Sequence, residues 1–261
     1  RLKSLPRAGR LTARSAAGLM SVADTFRNRD FEPLGDLGIG LDGPAHSVLL
    51  FSSAPVGKLG GTTLGVTGET STSFPLLRLL LEDRYGVNPA AYVRRASGPL
   101  PSDAGMLLIG DAALQRAARG GLQPGRQDYS GSVLELEQAE PFDEPFRYVL
   151  DLAAAWHQWQ GLPFVFARWM VRHSVGRQAR LLLLASLRET LEVNLRRLDA
   201  LAAEQAPRAG LSAQGAFAYL MGFTYRFGAA GEQGINTFRS LLESTPWWEA
   251  TLPAVLETEG A

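Results

Sequence analysis

The chain has no cysteine among its 261 residues. That absence excludes a disulfide framework, a thiolate nucleophile, and zinc or iron–sulfur centres built on thiolates, and it fits a reducing compartment. Net charge is lacking too, since Lys+Arg and Asp+Glu each total 26. A nucleic-acid or anionic-membrane binder needs a field of one sign, so a small-molecule partner is expected instead. Histidine is scarce: His46, His157 and His173 are scattered, and neither a metal cluster nor a Ser-His-Asp pattern can be read from them. No apolar run approaches the roughly 20 residues that span a bilayer. The opening residues 1–19 lack the continuous apolar stretch of a secretion signal, so a cytoplasmic location and no membrane partner are the expectations. Tandem repeats and low-complexity tracts are missing as well.

What is present reads as an α/β chain long enough for two lobes around a shared cleft. Ser47-Val-Leu-Leu-Phe-Ser52, entered from the turn-prone Leu41-Asp-Gly-Pro44, predicts a buried strand. A second strand near Thr63 to Val66 runs through the hydroxyl-rich turn Gly68-Glu-Thr-Ser-Thr-Ser73 into a helix from Phe74 to Tyr85. The design repeats where Ala104-Gly-Met-Leu-Leu-Ile-Gly-Asp111 leads into a helix from Ala112 to Arg119. Both turns then lie at the C-terminal ends of strands, the edge at which open α/β sheets bind ligands. Gly120 to Arg147 has no sustained period and reads as a long surface excursion. Val149 to Trp159 predicts a helix and Phe164 to Val171 a strand. From Arg177 to Glu204, Leu181, Leu184, Leu187, Leu191, Leu195 and Leu198 recur at helical spacing, which predicts one long amphipathic helix packed on a lobe outside the ligand site. Ala213 to Phe227 and Asn236 to Leu242 read as further helices.

Among the chemical signals the cluster Thr70-Ser-Thr-Ser73 is the most informative. A helix leaves its first N–H groups unpaired and partly positive, so hydroxyls placed there complete a carboxylate or phosphate cradle, although a simple N-cap uses the same residues. Gly110-Asp111 at a strand end offers an acceptor for a ligand hydroxyl, a proton carrier, or again a cap. Ser47 could face the cleft from the start of its strand, and His46 beside it could act as a general base. Trp156, Trp159, Trp247 and Trp248 read as core aromatics.

These segments resemble one family in order and spacing. Its features are Gly40-Leu-Asp-Gly-Pro44 running into Ser47 to Ser52, the Thr70 to Ser73 turn, Leu108-Ile-Gly-Asp-Ala-Ala-Leu114, and Asp151-Leu-Ala-Ala-Ala-Trp156. Gly161-Leu-Pro-Phe-Val-Phe-Ala167 with Trp169, and Tyr225-Arg-Phe-Gly228, complete the set. Together they resemble the chorismate dehydratases of the futalosine route to menaquinone. That resemblance implies the two-lobed α/β fold of type II periplasmic binding proteins with C-terminal helices. It divides the chain into 1–66 for the first lobe, 67–165 for the second, and 166–261 returning to the first lobe and the helices. The family's Asn-Tyr-Leu-Asn turn has no counterpart in Arg1 to Ala16.

The implied reaction removes the ring hydroxyl of chorismate and the hydrogen on the neighbouring ether-bearing carbon, and aromatisation drives it. A site that stabilises added negative charge on the ring carboxylate favours the transition state over the substrate. By resemblance Thr70, Thr72 and Ser73 bind that carboxylate, Ser47 faces the second one, Gly161 belongs to the substrate-binding set, and Asp111 is the catalytic candidate. No cofactor and no metal are implied. Two alternatives stay open: the dihydroxynaphthoate synthase of the same route, and a non-catalytic solute-binding protein for a small carboxylate.

Overall fold

A computed structural model describes residues 16–68, 70–96, 98–125, 133–135 and 146–250. In chain order the elements are β1 (Ala17–Ser21), α1 (Val22–Thr25), β2 (Phe31–Leu41), β3 (Val48–Ser52), β4 (Thr63–Val66) and α2 (Ser73–Leu79). They continue with β5 (Ala91–Arg94), β6 (Gly105–Ile109), α3 (Asp111–Arg119), β7 (Val133–Glu135), β8 (Tyr148–Asp151) and α4 (Leu152–Gln160). The last are β9 (Phe164–Arg172), α5 (Arg177–Leu195), α6 (Leu198–Ala209), α7 (Ala213–Met221), β10 (Phe223–Arg226), α8 (Ala229–Glu243) and α9 (Pro246–Ala250).

Two sheets organise the two lobes. One is antiparallel with order β1-β9-β2-β10, and the other is mixed with order β5-β4-β6-β3-β8-β7. The apolar run after Ser47 becomes the middle of the mixed sheet. Every residue of β3 is buried, because a strand with neighbours on both edges and layers on both faces offers nothing to water. Leu64, Leu76, Leu77, Leu79 and Leu80 join Leu50, Leu107, Trp156, Phe164 and Phe238 in one core that runs from this sheet to the other. Trp156 is wholly buried, its ring edge-on to Phe164 at 5.2 Å and to Phe238 at 5.9 Å.

Pairing moves the expected lobe boundary. β3 and β4 hydrogen-bond to β6, so residues 48–66 belong to the second lobe's sheet and not to the first lobe. The C-terminal region is also divided: α8 packs on β9, whereas α6 sits on α3 of the second lobe.

The chain passes between the sheets from β2 to β3 and again from β8 through α4 to β9. One buried carboxylate holds both passages. Asp151 Oδ1 accepts from the N–H groups of Ala45, Ala153 and Ala154, each at 3.0 Å, and Oδ2 accepts from His46 N–H at 2.8 Å. It is thus the N-cap of α4 and the anchor of the loop entering β3.

Several expected elements change. The stretch Val149 to Trp159 opens as a strand, since Val149 and Leu150 pair with Phe51 and Leu50 before the Asp151 cap starts the helix. Ala213 to Phe227 ends as strand β10 on β2. The helix expected over Arg177 to Glu204 breaks at Arg196–Arg197, and its first half buries no residue. Polar ties seat α5 beside a half-buried leucine stripe whose Leu184 lies against Gly35: Arg180 donates to Glu32 and to the carbonyl of Val175, and Arg188 to Asp36 at 2.7 Å. Leu181 and Leu182 are exposed. Most of the excursion expected between Gly120 and Arg147 lies outside the described residues.

Replacing Asp151 should therefore destabilise the whole chain. Asp151→Asn keeps one accepting oxygen and turns a donor toward His46 N–H, at a cost of about 2 kcal/mol; Asp151→Ala loses all four bonds and should cost about 4 kcal/mol or more. Urea denaturation followed by circular dichroism reads both, and equal, small losses would show that the clamp is dispensable.

Candidate functional site

The register of the mixed sheet brings Ser47, Gly110-Asp111 and the start of the hydroxyl turn to one edge. Val48 lies opposite Ile109, and Gly110 N–H donates to Ser47 O at 2.8 Å. Thr67 N–H donates to Leu107 O at 3.3 Å, which places the end of β4 beside the end of β6. With strands roughly 4.8 Å apart and an offset of about two residues along them, Ser47 and Thr67 sit about 12 Å from one another on this edge. The turn from Thr67 to Ser73 rises from it.

Within that turn the hydroxyls have different duties. Thr70 Oγ1 donates to Thr67 O at 3.0 Å and closes the turn. Thr72 reaches the other lobe: its Oγ1 donates to Phe166 O at 3.1 Å, accepts from Ala23 N–H at 3.2 Å, and lies 2.5 Å from Ser21 Oγ. Thr72 occupies the N-cap position of α2, yet its side chain makes no capping bond. Ser73 is buried and its hydroxyl has no partner among the described residues. The same holds for Thr67 Oγ1, a buried atom. One turn thus carries a closure, an interlobe bridge and two uncommitted hydroxyls.

Along the edge, Ser47 is buried, accepts from the Tyr219 hydroxyl at 3.0 Å, and donates to Ala45 O at 3.3 Å. Asp111 is the first residue of α3 and is exposed, while Gly110, with φ of 61°, takes the cap position. Arg208 donates to Asp111 Oδ2 at 2.9 Å, forming an exposed ion pair that leaves the other carboxyl oxygen as an acceptor. Gly161 is not brought to this edge. The nine residues of α4 carry it about 14 Å from Asp151. There its φ of 64° lets it end the helix in the left-handed conformation. The following Pro163 meets α8, where a side chain at Gly234 would put Cβ 2.2 Å from Pro163 O.

His46 adopts φ of 58°, rare for a residue with a side chain, and burial lowers its pKa to about 4. It is a neutral imidazole at physiological pH.

The fold is shared with protein AF1704 from Archaeoglobus fulgidus, whose crystal structure matches with a TM-score of 0.64 at 16% identity, covering 89% of this chain and 80% of that one. The sequence profile of a family described as menaquinone biosynthesis matches residues 10–244. The chain belongs to that family. Within it, a curated chorismate dehydratase of Thermus thermophilus is 32% identical over 242 residues, covering 89% of this chain and 82% of the relative.

For this family member the sequence reading missed Ser21, Asp151 and Tyr219 as parts of the edge. Ser21 ends a strand whose five residues show only weak apolar alternation. Tyr219 comes from a helix 172 residues beyond Ser47, a pairing that only the fold reveals.

The His46 geometry sets a pH dependence. A base whose folded pKa lies below its unfolded value of about 6.5 takes up protons preferentially when unfolded, so stability is complete above pH 6.5 and falls as pH drops toward 4. The full loss is about 3 kcal/mol. His46→Asn, which tolerates the same backbone, should gain on the wild type by up to that amount between pH 7 and 4 in urea titrations. A pH-independent difference would show that His46 titrates normally.

Proposed function

We propose that this protein dehydrates chorismate to 3-[(1-carboxyvinyl)oxy]benzoate, with the substrate held where the Thr67 to Ser73 turn meets the end of β1. The observation that carries the reading is the junction itself. Hydroxyls from both lobes, Ser21, Thr72 and Ser73, gather at a strand end, in a chain 32% identical to a chorismate dehydratase. In this reading Ser73 supplies the free donor to the ring carboxylate. Thr72 exchanges its internal partners for that carboxylate or holds the lobes around it, and Thr70 keeps the turn in shape. Ser47 faces the second carboxylate farther along the edge.

The chemistry follows from charge. The hydrogen on the ether-bearing carbon is acidic through the conjugated ring carboxylate, so its removal pushes negative charge onto that group. Donors fixed before the reaction stabilise that charge without reorganising. Asp111, with one oxygen engaged by Arg208, accepts from the ring hydroxyl and orients it for departure. The enolpyruvyl carboxylate of the substrate takes the proton and passes it to the departing hydroxyl, which leaves as water; this suits an edge whose half-buried histidine, His46, is held neutral.

Incubation of the purified protein with chorismate tests this by liquid chromatography and mass spectrometry. Loss of one water with appearance of the aromatic product is expected. Ser73→Ala should melt like the wild type, because no internal bond is lost, yet bind chorismate at least tenfold more weakly, matching one charge-assisted bond of about 1.5–3 kcal/mol. Unchanged chorismate, or a Ser73→Ala variant that binds as well as the wild type, would overturn the reading.

A further inference from the structure

The C-terminal helices reach the ligand edge. α6 and α7 rest on α3 through Leu114, Ala202, Ala206, Leu211 and Ala216, and the chain then passes from α7 into β10 of the other sheet. Tyr219 stands just before this passage. Its ring packs edge-on against Phe223 with centroids 4.9 Å apart, and its hydroxyl donates to Ser47 Oγ at 3.0 Å. Burial pushes the phenol up to about 12, and the nearby Asp111 charge adds to the shift. The group therefore keeps its proton throughout the neutral range.

That donation fixes the polarity of Ser47. A serine hydroxyl has one proton and two lone pairs. With Tyr219 occupying a lone pair, the proton of Ser47 must go elsewhere. Its partner is Ala45 O at 3.3 Å, longer than the roughly 2.5–3.0 Å usual for such bonds. A carboxylate offers a shorter, charge-assisted alternative and competes well for that proton. A ligand hydroxyl or ammonium that needs Ser47 as acceptor finds one of its two lone pairs already taken by Tyr219 and gains no charge-assisted bond from the serine proton.

We propose that Tyr219 is a positioning residue that holds Ser47 as a hydrogen-bond donor to an anionic ligand group, making the α6–α7 pair part of the substrate site. This rests on the reading that Ser47 faces a substrate carboxylate. It assigns the C-terminal helices a part in selecting for a carboxylate.

The test is a double-mutant cycle on the full chain with Tyr219→Phe, Ser47→Ala and both together. Calorimetric titration with chorismate, steady-state kinetics and thermal melts are recorded for each. Tyr219→Phe keeps the ring and should raise Kd and KM about fivefold, the range of one neutral hydrogen bond, with kcat within about twofold. Ser47→Ala should weaken binding at least as much, and the double variant should bind no worse than Ser47→Ala, because the tyrosine acts only through the serine. A lowered melting temperature with unchanged Kd in Tyr219→Phe would overturn the proposal, leaving a structural tie. So would losses that add in the double variant. If the wild type neither binds nor converts chorismate, the functional reading falls and this inference with it. If the wild type does so and only the cycle fails, the reading stands and the inference alone is lost.

Discussion

A single buried carboxylate decides how the two sheets meet. Asp151 has no exposed surface and gathers backbone N–H groups from the loop before β3 and from the first turn of α4, two of the places where the chain crosses between lobes. An ionised group in that position would be costly without partners, and each donor left unpaired by its loss would be costly in turn. The result is a fixed entry for both crossings. With the entry fixed, β3 begins opposite the end of β6, and Ser47, Gly110 and Thr67 fall on one edge.

Much of the mixed sheet was legible because its strands are short apolar runs closed by turn residues, as at Val48 to Ser52 and Gly105 to Ile109. The edge was legible for the same reason, since small polar residues follow those runs. Other elements were not. β2 contains Gly35, Gly38, Gly40 and Pro33, residues that argue against a strand, and it holds its place by pairing on both sides, with the close approach of Ala167 O to Gly38 allowing no side chain there. β10 is four residues on an edge, too short for a period to register. The leucines of α5 gave a helix correctly, but their spacing does not say whether anything covers them. Arginine ties to Glu32 and Asp36 seat that helix and cannot be read from its own sequence.

The hydroxyl turn shows why the candidate site was only partly legible. Four adjacent hydroxyl residues look equivalent in sequence, yet a turn entering a helix points them in different directions. Thr70 faces back to Thr67, Thr72 faces the other lobe, and Ser73 is buried with its hydroxyl uncommitted. Thr72 departs from the simple cap reading. It does not cap its helix, and its hydroxyl is already shared among Ser21, Ala23 and Phe166. That arrangement makes the ligand question one of exchange: a carboxylate entering here replaces oxygen partners with a charged one while the same side chains remain at the lobe junction. Gly161 illustrates the converse, since a glycine in the midst of a family motif serves the end of a helix and the passage of Pro163 past Gly234.

The central claim is that a carboxylate ligand is held between the lobes, where the end of β1 meets the Thr67 to Ser73 turn. Amide hydrogen exchange read by mass spectrometry, with and without saturating 3-[(1-carboxyvinyl)oxy]benzoate, tests it directly. The account predicts added protection in two segments at once, residues 20–24 from one lobe and 70–76 from the other, with α5 unchanged. Protection confined to one of these segments, or appearing only away from both, would contradict it.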